Sequence, residues 1–277
     1  MPDPIFIDHN EHRTWLKWHR ARRRLSDPVF TGARIREGMR LGASIEIDLM
    51  VHQDHGMVVL HGPRLEGETT GTGLPRETGA AALQKLFLRA NDGSPTDEPV
   101  MLLEDLVAEL QASTIHADAL LQLDFKEDMK ALDPATISNF ARTLAPIQQH
   151  FILSAGDATA VAALAAELPR LQIGYDPCDS DSLAKVTQTQ DFDSFVANAL
   201  AASPDAKMIY LGQKLVLFAL DHGYDLVAAF HAAGRRIDAY TIRTVDEGSL
   251  KMIEQLLALE VDQITTDDPE GLWQALR

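Results

Sequence analysis

Two short segments of this chain alternate apolar and charged residues, Ile45-Glu46-Ile47-Asp48-Leu49 and Leu123-Asp124-Phe125-Lys126. Successive side chains of a strand point to opposite faces, so Glu46 and Asp48 share one face. Asp124 and Lys126 share another, with Leu123 and Phe125 opposite. Carboxylates buried side by side repel and raise one another's pKa. A divalent cation relieves that repulsion, and Glu46, Asp48 and Asp124 make an oxygen ligand set suited to Mg2+ or Ca2+. The competing expectation pairs these acids with Arg or Lys, or turns them to water. His19 and His61 each end a β-like run, and a pair of imidazoles of near-neutral pKa supplies base and acid for displacement at phosphorus. Arg20, beside His19, offers the fork geometry that clamps a phosphate. Arg22, Arg23 and Arg24 read as a solvated face.

Such residues must be brought together by a scaffold. Short β-like runs alternate with amphipathic helical runs, the pattern of a parallel sheet wrapped by helices. Barrel strands are expected at 14–19, 44–50, 119–125, 151–154, 171–174, 207–211, 236–242 and 262–265. A run at 57–61 follows an Asp-His-Gly turn and reads as a hairpin return. Counted that way, eight strands remain, which is the number of a (β/α)8 TIM barrel, where reactive groups sit at the C-terminal strand ends. A doubly wound open sheet would carry a Gly-rich phosphate loop after its first strand, and Ala21-Arg22-Arg23-Arg24 stands there instead. Gly and Pro residues break every period across 62–99, so this stretch reads as a small insertion over one end of a single domain spanning 1–277.

The balance of 25 basic against 41 acidic residues, a formal charge of −16, repels phosphate backbones and anionic lipid surfaces. No nucleic-acid partner is expected, and an anionic small molecule would need a local island of positive charge. One cysteine, Cys178, excludes an intrachain disulfide and a cysteine-built metal site. No run is long and apolar enough to span a bilayer and no basic leader opens the sequence, so a cytoplasmic enzyme is the expectation. Nothing in the sequence fixes an oligomeric state.

In order and spacing the chain resembles the glycerophosphodiester phosphodiesterase family from about residue 15 to 270. The family's His-Arg-Gly is matched by His19-Arg20-Ala21, its Gly-Ala by Gly42-Ala43, and its Ile-Glu-X-Asp by Ile45-Glu46-Ile47-Asp48. Its Asp-Gly turn and Val-Val-X-His-Asp are similar to His55-Gly56-Met57-Val58-Val59-Leu60-His61-Gly62. Thr69-Thr70-Gly71-Thr72-Gly73, Leu123-Asp124-Phe125-Lys126, Tyr240-Thr241-Ile242-Arg243 and Thr266-Asp267-Asp268-Pro269 follow in the family's order. The resemblance implies a TIM barrel with an insertion after the second histidine, and a divalent metal on Glu46, Asp48 and Asp124. It also implies acid and base roles for His19 and His61, a phosphate held by Arg20 and Lys126, and Tyr240 lining the site. The expected reaction is metal-dependent hydrolysis of a small glycerophosphodiester to a phosphomonoester and an alcohol. The chain departs from the family at Ala21, at Val29 and Phe30, at Gly62 and at Arg243. Those departures leave a second reading, a degenerate barrel that binds a phosphorylated ligand or partner without turnover. A third, an aldolase or enolising barrel, would require an essential Schiff-base lysine or a carbonyl substrate.

Overall fold

The computed structural model of the chain describes residues 4–277, so the first three residues of the expected unit lie outside it. Eight parallel strands form a closed barrel: β1 (His12–Trp18), β2 (Ser44–Val51), β3 (Leu120–Phe125), β4 (Phe151–Ala155), β5 (Gln172–Tyr175), β6 (Met208–Gly212), β7 (Arg236–Ile242) and β8 (Gln263–Thr266). Each pairs with the next, and β8 pairs with β1 through Gln263↔Trp15 to Thr266↔Trp18 to close the ring. The expected β1 ran through residue 19; the strand stops at Trp18, and His19 opens a 3-10 turn. An antiparallel strand not expected from the sequence, Phe6–His9, lies against β1.

Between the strands run α1 (Gly32–Leu41), α2 (Leu103–Gln111), α3 (Pro134–Leu144), α4 (Ala158–Ala165), α5 (Ser180–Thr189), α6 (Phe192–Ala202), α7 (Gln213–Asp221), α8 (Leu226–Ala232), α9 (Glu247–Ala258) and α10 (Pro269–Ala275). The segment between β5 and β6 forms two helices, α5 and α6, because Gln190 turns left-handed and Asp191 caps a new start. Period two sorts the strands. Ile45, Ile47, Leu49, Leu121, Leu123, Ile209, Leu211, Ile237 and Ile264 are all fully buried under the helices. The alternate residues face the barrel axis and are mostly polar: Lys17, Glu46, Asp48, Gln122, Ser154, Asp238, Gln263 and Thr265 are buried.

Local signals hold the elements in place. Thr31 caps α1 by accepting from Arg34 N, and Gly42 (φ 87°) ends it in the left-handed conformation that glycine adopts without penalty. Ile35, Gly38 and Met39 then face the barrel. Gly174 on β5 leaves room for the Tyr210 ring, whose Cε2 would stand 2.4 Å from an added Cβ. After β2 the chain turns back as the antiparallel arm Met57–Val59, paired through Leu49↔Val59, and ends in His61. Residues 62–99 contain two 3-10 turns, a one-turn helix at Ala80–Leu83 and a two-stranded ladder of Phe87–Arg89 with Pro95–Pro99. No helix among the described residues is long and apolar enough to cross a membrane.

Candidate active site

Register brings the acids together. In the β2–β3 ladder Glu46 stands beside Gln122 and Asp48 beside Asp124. One oxygen from each of Glu46, Asp48 and Asp124 lies within 4.8 Å of the others. Glu46 accepts a hydrogen bond of 2.8 Å from the Arg20 backbone N–H. Ser154, beside Asp124 in the next ladder, donates to Asp124 Oδ1 at 2.9 Å.

The pairing expected as an alternative also occurs. Lys126 Nζ lies 2.7 Å from Asp48 Oδ1 and 2.5 Å from Asp124 Oδ2, and Arg20 Nε lies 3.2 Å from Asp48 Oδ2. The pairing is incomplete: Asp48 Oδ2 is buried and makes no aligned hydrogen bond, and neither does Arg20 Nε. Burial, then the Glu46 charge, pushes Asp48 up to about 8, against the pull of Lys126 and Arg20. Burial likewise raises Glu46. Burial alone would pull Lys126 down, but Asp124, Asp48 and Glu46 outweigh it and hold the ammonium above its ordinary value. An orphaned carboxylate oxygen beside two more acids is a donor set that fits a hard divalent cation.

His19 Nδ1 lies 2.5 Å from Asp267 Oδ1, and its Nε2 is 3.9 Å from Glu46 Oε2. Burial pushes Asp267 up, yet His19 and Arg22 together hold it below its ordinary value. A carboxylate only accepts, so Nδ1 carries the proton and Nε2 is the nitrogen turned to the acids. Burial lowers the His19 pKa, opposed by Asp267. Arg22 is therefore no part of a solvated face: it is buried and hydrogen-bonded to Asp267. Arg23 pairs with Glu37 and Glu270, and only the half-exposed Arg24 fits the expectation in part, with Glu270 as its partner. These arginines fasten the turn after β1 to α1 and α10.

That turn is tense. Arg20, Ala21 and Phe30 have φ of 53°, 58° and 61°, values that cost an L-residue about 1–3 kcal/mol. Phe30 N donates to Arg20 O at 2.8 Å, and the Arg20 guanidinium lies 5.9 Å from the buried Phe30 ring.

His61 is exposed at the rim. Its backbone N–H and that of Gly62 both donate to Glu68 Oε2, each at 2.9 Å, so the carboxylate beside Gly62 comes from Glu68. Desolvation by the rim lowers the His61 pKa; Asp48 opposes this, and Arg20 and Lys126 add to it. Tyr240 donates to Asp176 Oδ2 at 2.7 Å. Burial, then Asp176, raises the Tyr240 phenol.

His19, Arg20, Glu46, His61, Asp124, Lys126 and Tyr240 line one cavity of about 230 Å³ at the C-terminal barrel mouth, with Asp48 buried at its base. All eight residues singled out from the sequence thus meet in one place. Asp267 was inside a quoted motif but unassigned, and parity on β8 would have marked it. Glu68 and the buried Lys17–Asp238 pair (2.7 Å) had no sequence signal, because their partners are 7 and 221 residues away in unrelated elements. Lys17 also donates to Gln122, Gln122 to Ser154 at 2.9 Å, and Ser154 to Asp124, a hydrogen-bonded line from the barrel core to the acid cluster.

A family model for the glycerophosphoryl diester phosphodiesterase family matches residues 30–271. Among curated proteins none matches the chain. Solved structures share the fold. A glycerophosphoryl diester phosphodiesterase of Parabacteroides distasonis is 16% identical with a TM-score of 0.68, over 98% of this chain and 89% of that one. A glycerophosphodiester phosphodiesterase of Agrobacterium tumefaciens is 18% identical with a TM-score of 0.65, over 95% and 99%. A phosphodiesterase of Oleispira antarctica, solved with the product sn-glycerol-3-phosphate, is 19% identical with a TM-score of 0.66, over 94% and 96%.

Proposed function

Because the chain belongs to the glycerophosphoryl diester phosphodiesterase family, and so is a phosphoric diester hydrolase, we propose that it cleaves a small glycerophosphodiester in a metal-dependent reaction run by His19 and His61. The observation that carries this reading is the meeting of Glu46, Asp48 and Asp124 oxygens within 4.8 Å at the base of a cavity that both imidazoles line. The whole chain acts as one catalytic unit, with 62–99 supplying Glu68 to the rim.

Glu46, Asp48 and Asp124 would hold Mg2+ or Ca2+, which would supply Lewis-acid polarisation of the phosphoryl oxygens. Arg20 and Lys126 add positive charge for the phosphate, in a chain whose overall charge would otherwise repel it. His61 takes a proton from the attacking water as its oxygen bonds to phosphorus. His19, oriented by Asp267, gives a proton to the alcohol oxygen as the P–O bond breaks. Water and diester become a phosphomonoester and an alcohol, and each histidine ends in the other's starting protonation state. Tyr240 and Asp176 form the facing wall.

The test is hydrolysis of glycerophosphoglycerol and bis(p-nitrophenyl) phosphate with Mg2+, Ca2+ or Mn2+, with and without chelator. Turnover that the chelator abolishes and the metal restores is expected. Asp48→Asn should weaken the metal's apparent affinity by at least about tenfold, the scale of losing one charged contact. Chelator-resistant turnover would sink the metal dependence.

A further inference from the structure

Three of the cations lining the cavity are already engaged: Lys17 with Asp238, Arg20 with Asp48, and Lys126 with Asp48 and Asp124. Arg243 lines the same cavity and is exposed, with no hydrogen bond or ion pair to any described residue. Arg13, Arg22, Arg23, Arg24, Arg34 and Arg36 all have carboxylate partners, and of the arginines without a side-chain hydrogen bond or ion pair among the described residues, Arg243 is the one that lines this cavity. Asp176, a carboxylate that lines the same cavity, is taken by the Tyr240 hydroxyl and by the Cys178 backbone N–H at 2.8 Å.

The backbone aims Arg243 there. Asp238 and Tyr240 face inward on β7, and unbroken alternation would send Thr241 and Arg243 outward. The β7–β8 register shifts between Ala239 and Ile242, and after it both Thr241 and Arg243 line the cavity. Such irregularities redirect side chains at barrel rims. The Thr241 hydroxyl also has no hydrogen-bond partner among the described residues. Two positions apart on one face, a guanidinium and a hydroxyl thus present unused donors to the cavity. In the ring of eight, the top of β7 is four strands from β3 in either direction, directly across the mouth from Asp124.

We propose that Thr241 and Arg243 form an anion subsite, and that the preferred diester carries a second anionic group, a phosphate or a carboxylate, on one of its two alcohol arms. This rests on the hydrolase reading: with the scissile phosphate at the acid cluster, that arm reaches across the mouth to β7. A guanidinium binds either oxyanion through paired N–H donors and repels a choline or ethanolamine arm.

The experiment compares kcat/KM for glycerophosphoinositol 4-phosphate and glycerophosphoglycerate with neutral glycerophosphoglycerol and cationic glycerophosphocholine. The protein is assayed as wild type, Arg243→Gln and Arg40→Gln, the last removing an exposed charge on α1 outside the cavity. Wild type should favour at least one anionic diester over the neutral one by tenfold or more, and whichever it favours identifies the group. Arg243→Gln should reduce that ratio by about 10- to 100-fold, the scale of one charge-assisted contact, and Arg40→Gln should keep it. A wild-type ratio near one, or a ratio kept by Arg243→Gln, overturns the subsite. If no diester is cleaved, the hydrolase reading fails by itself, and calorimetric binding of inositol 4-phosphate and glycerate decides the subsite. Weakening of either by tenfold or more in Arg243→Gln supports it, and equal affinity for both overturns it.

Discussion

His19 and His61 sit in unlike surroundings, and the contrast divides their proposed labour. Asp267 fixes the His19 tautomer and favours its charged form, whereas the His61 ring has no side-chain hydrogen bond among the described residues and is held only through its backbone by Glu68. The proposed proton transfers predict that His19→Ala and His61→Ala each lower kcat by at least about 100-fold at saturating metal. Asp267→Asn should lower kcat by about tenfold or more while the metal's apparent affinity stays within about threefold, because Asp267 acts on the imidazole and not on the acid cluster. Equal losses in kcat and metal affinity would reassign Asp267 to the metal site. At the rim, Glu68→Gln keeps an acceptor for the two backbone N–H groups, so steady-state kinetics should find it more active than Glu68→Ala.

At the scale of elements, much of the acidic excess is structural. Asp133, Asp157, Asp179, Asp191, Asp225, Asp246 and Asp268 cap α3, α4, α5, α6, α8, α9 and α10, where a carboxylate satisfies first-turn N–H groups and meets the positive end of the helix. Asp157 also ties α4 to the turn after β3, accepting from Met129 N at 2.9 Å as well as from Thr159 N of its own helix at 2.8 Å. The hydrogen bonds from Thr159 and Met129 hold its carboxyl down at about 2, below the ordinary 3.8. A folded pKa below the unfolded one adds stability that is present above pH 3.8 and lost as pH falls through 2. Urea denaturation should find Asp157→Ala less stable by about 0.5–2 kcal/mol at pH 7. The gap to wild type should narrow between pH 4 and pH 2; a constant gap would mean that the carboxylate's charge plays no part.

The barrel as a whole encloses an ion pair that no single element could hold. Lys17 on β1 meets Asp238 on β7, both almost fully buried, and Asp238 also accepts from Gln263 and Thr265 on β8. A buried pair of this kind gains little over well-packed apolar residues, but breaking it leaves an uncompensated charge. Lys17→Met should therefore cost about 3–5 kcal/mol. Lys17→Met with Asp238→Leu should recover part of that loss, and not all of it, because Gln122, Gln263 and Thr265 lose partners. Equilibrium unfolding of the two variants checks this, and a double variant no more stable than Lys17→Met would assign the cost to packing. The same substitution should reduce turnover, since the line from Lys17 through Gln122 and Ser154 ends on Asp124.

Alternation of side chains along single strands was enough to put Glu46 with Asp48 and Asp124 with Lys126, because period two is a property of a strand by itself. The strand count and the missing phosphate loop likewise gave the barrel, since both are local patterns repeated along the chain. The sequence could not reveal which arginines were free. Arg22 is buried on Asp267 and Arg243 is left open, because each outcome depends on acids brought from elsewhere by ring closure and on a register shift inside β7. The Lys17–Asp238 pair was hidden for the same reason: partners across a closed barrel are set by the geometry of closure, and local spacing carries no record of it.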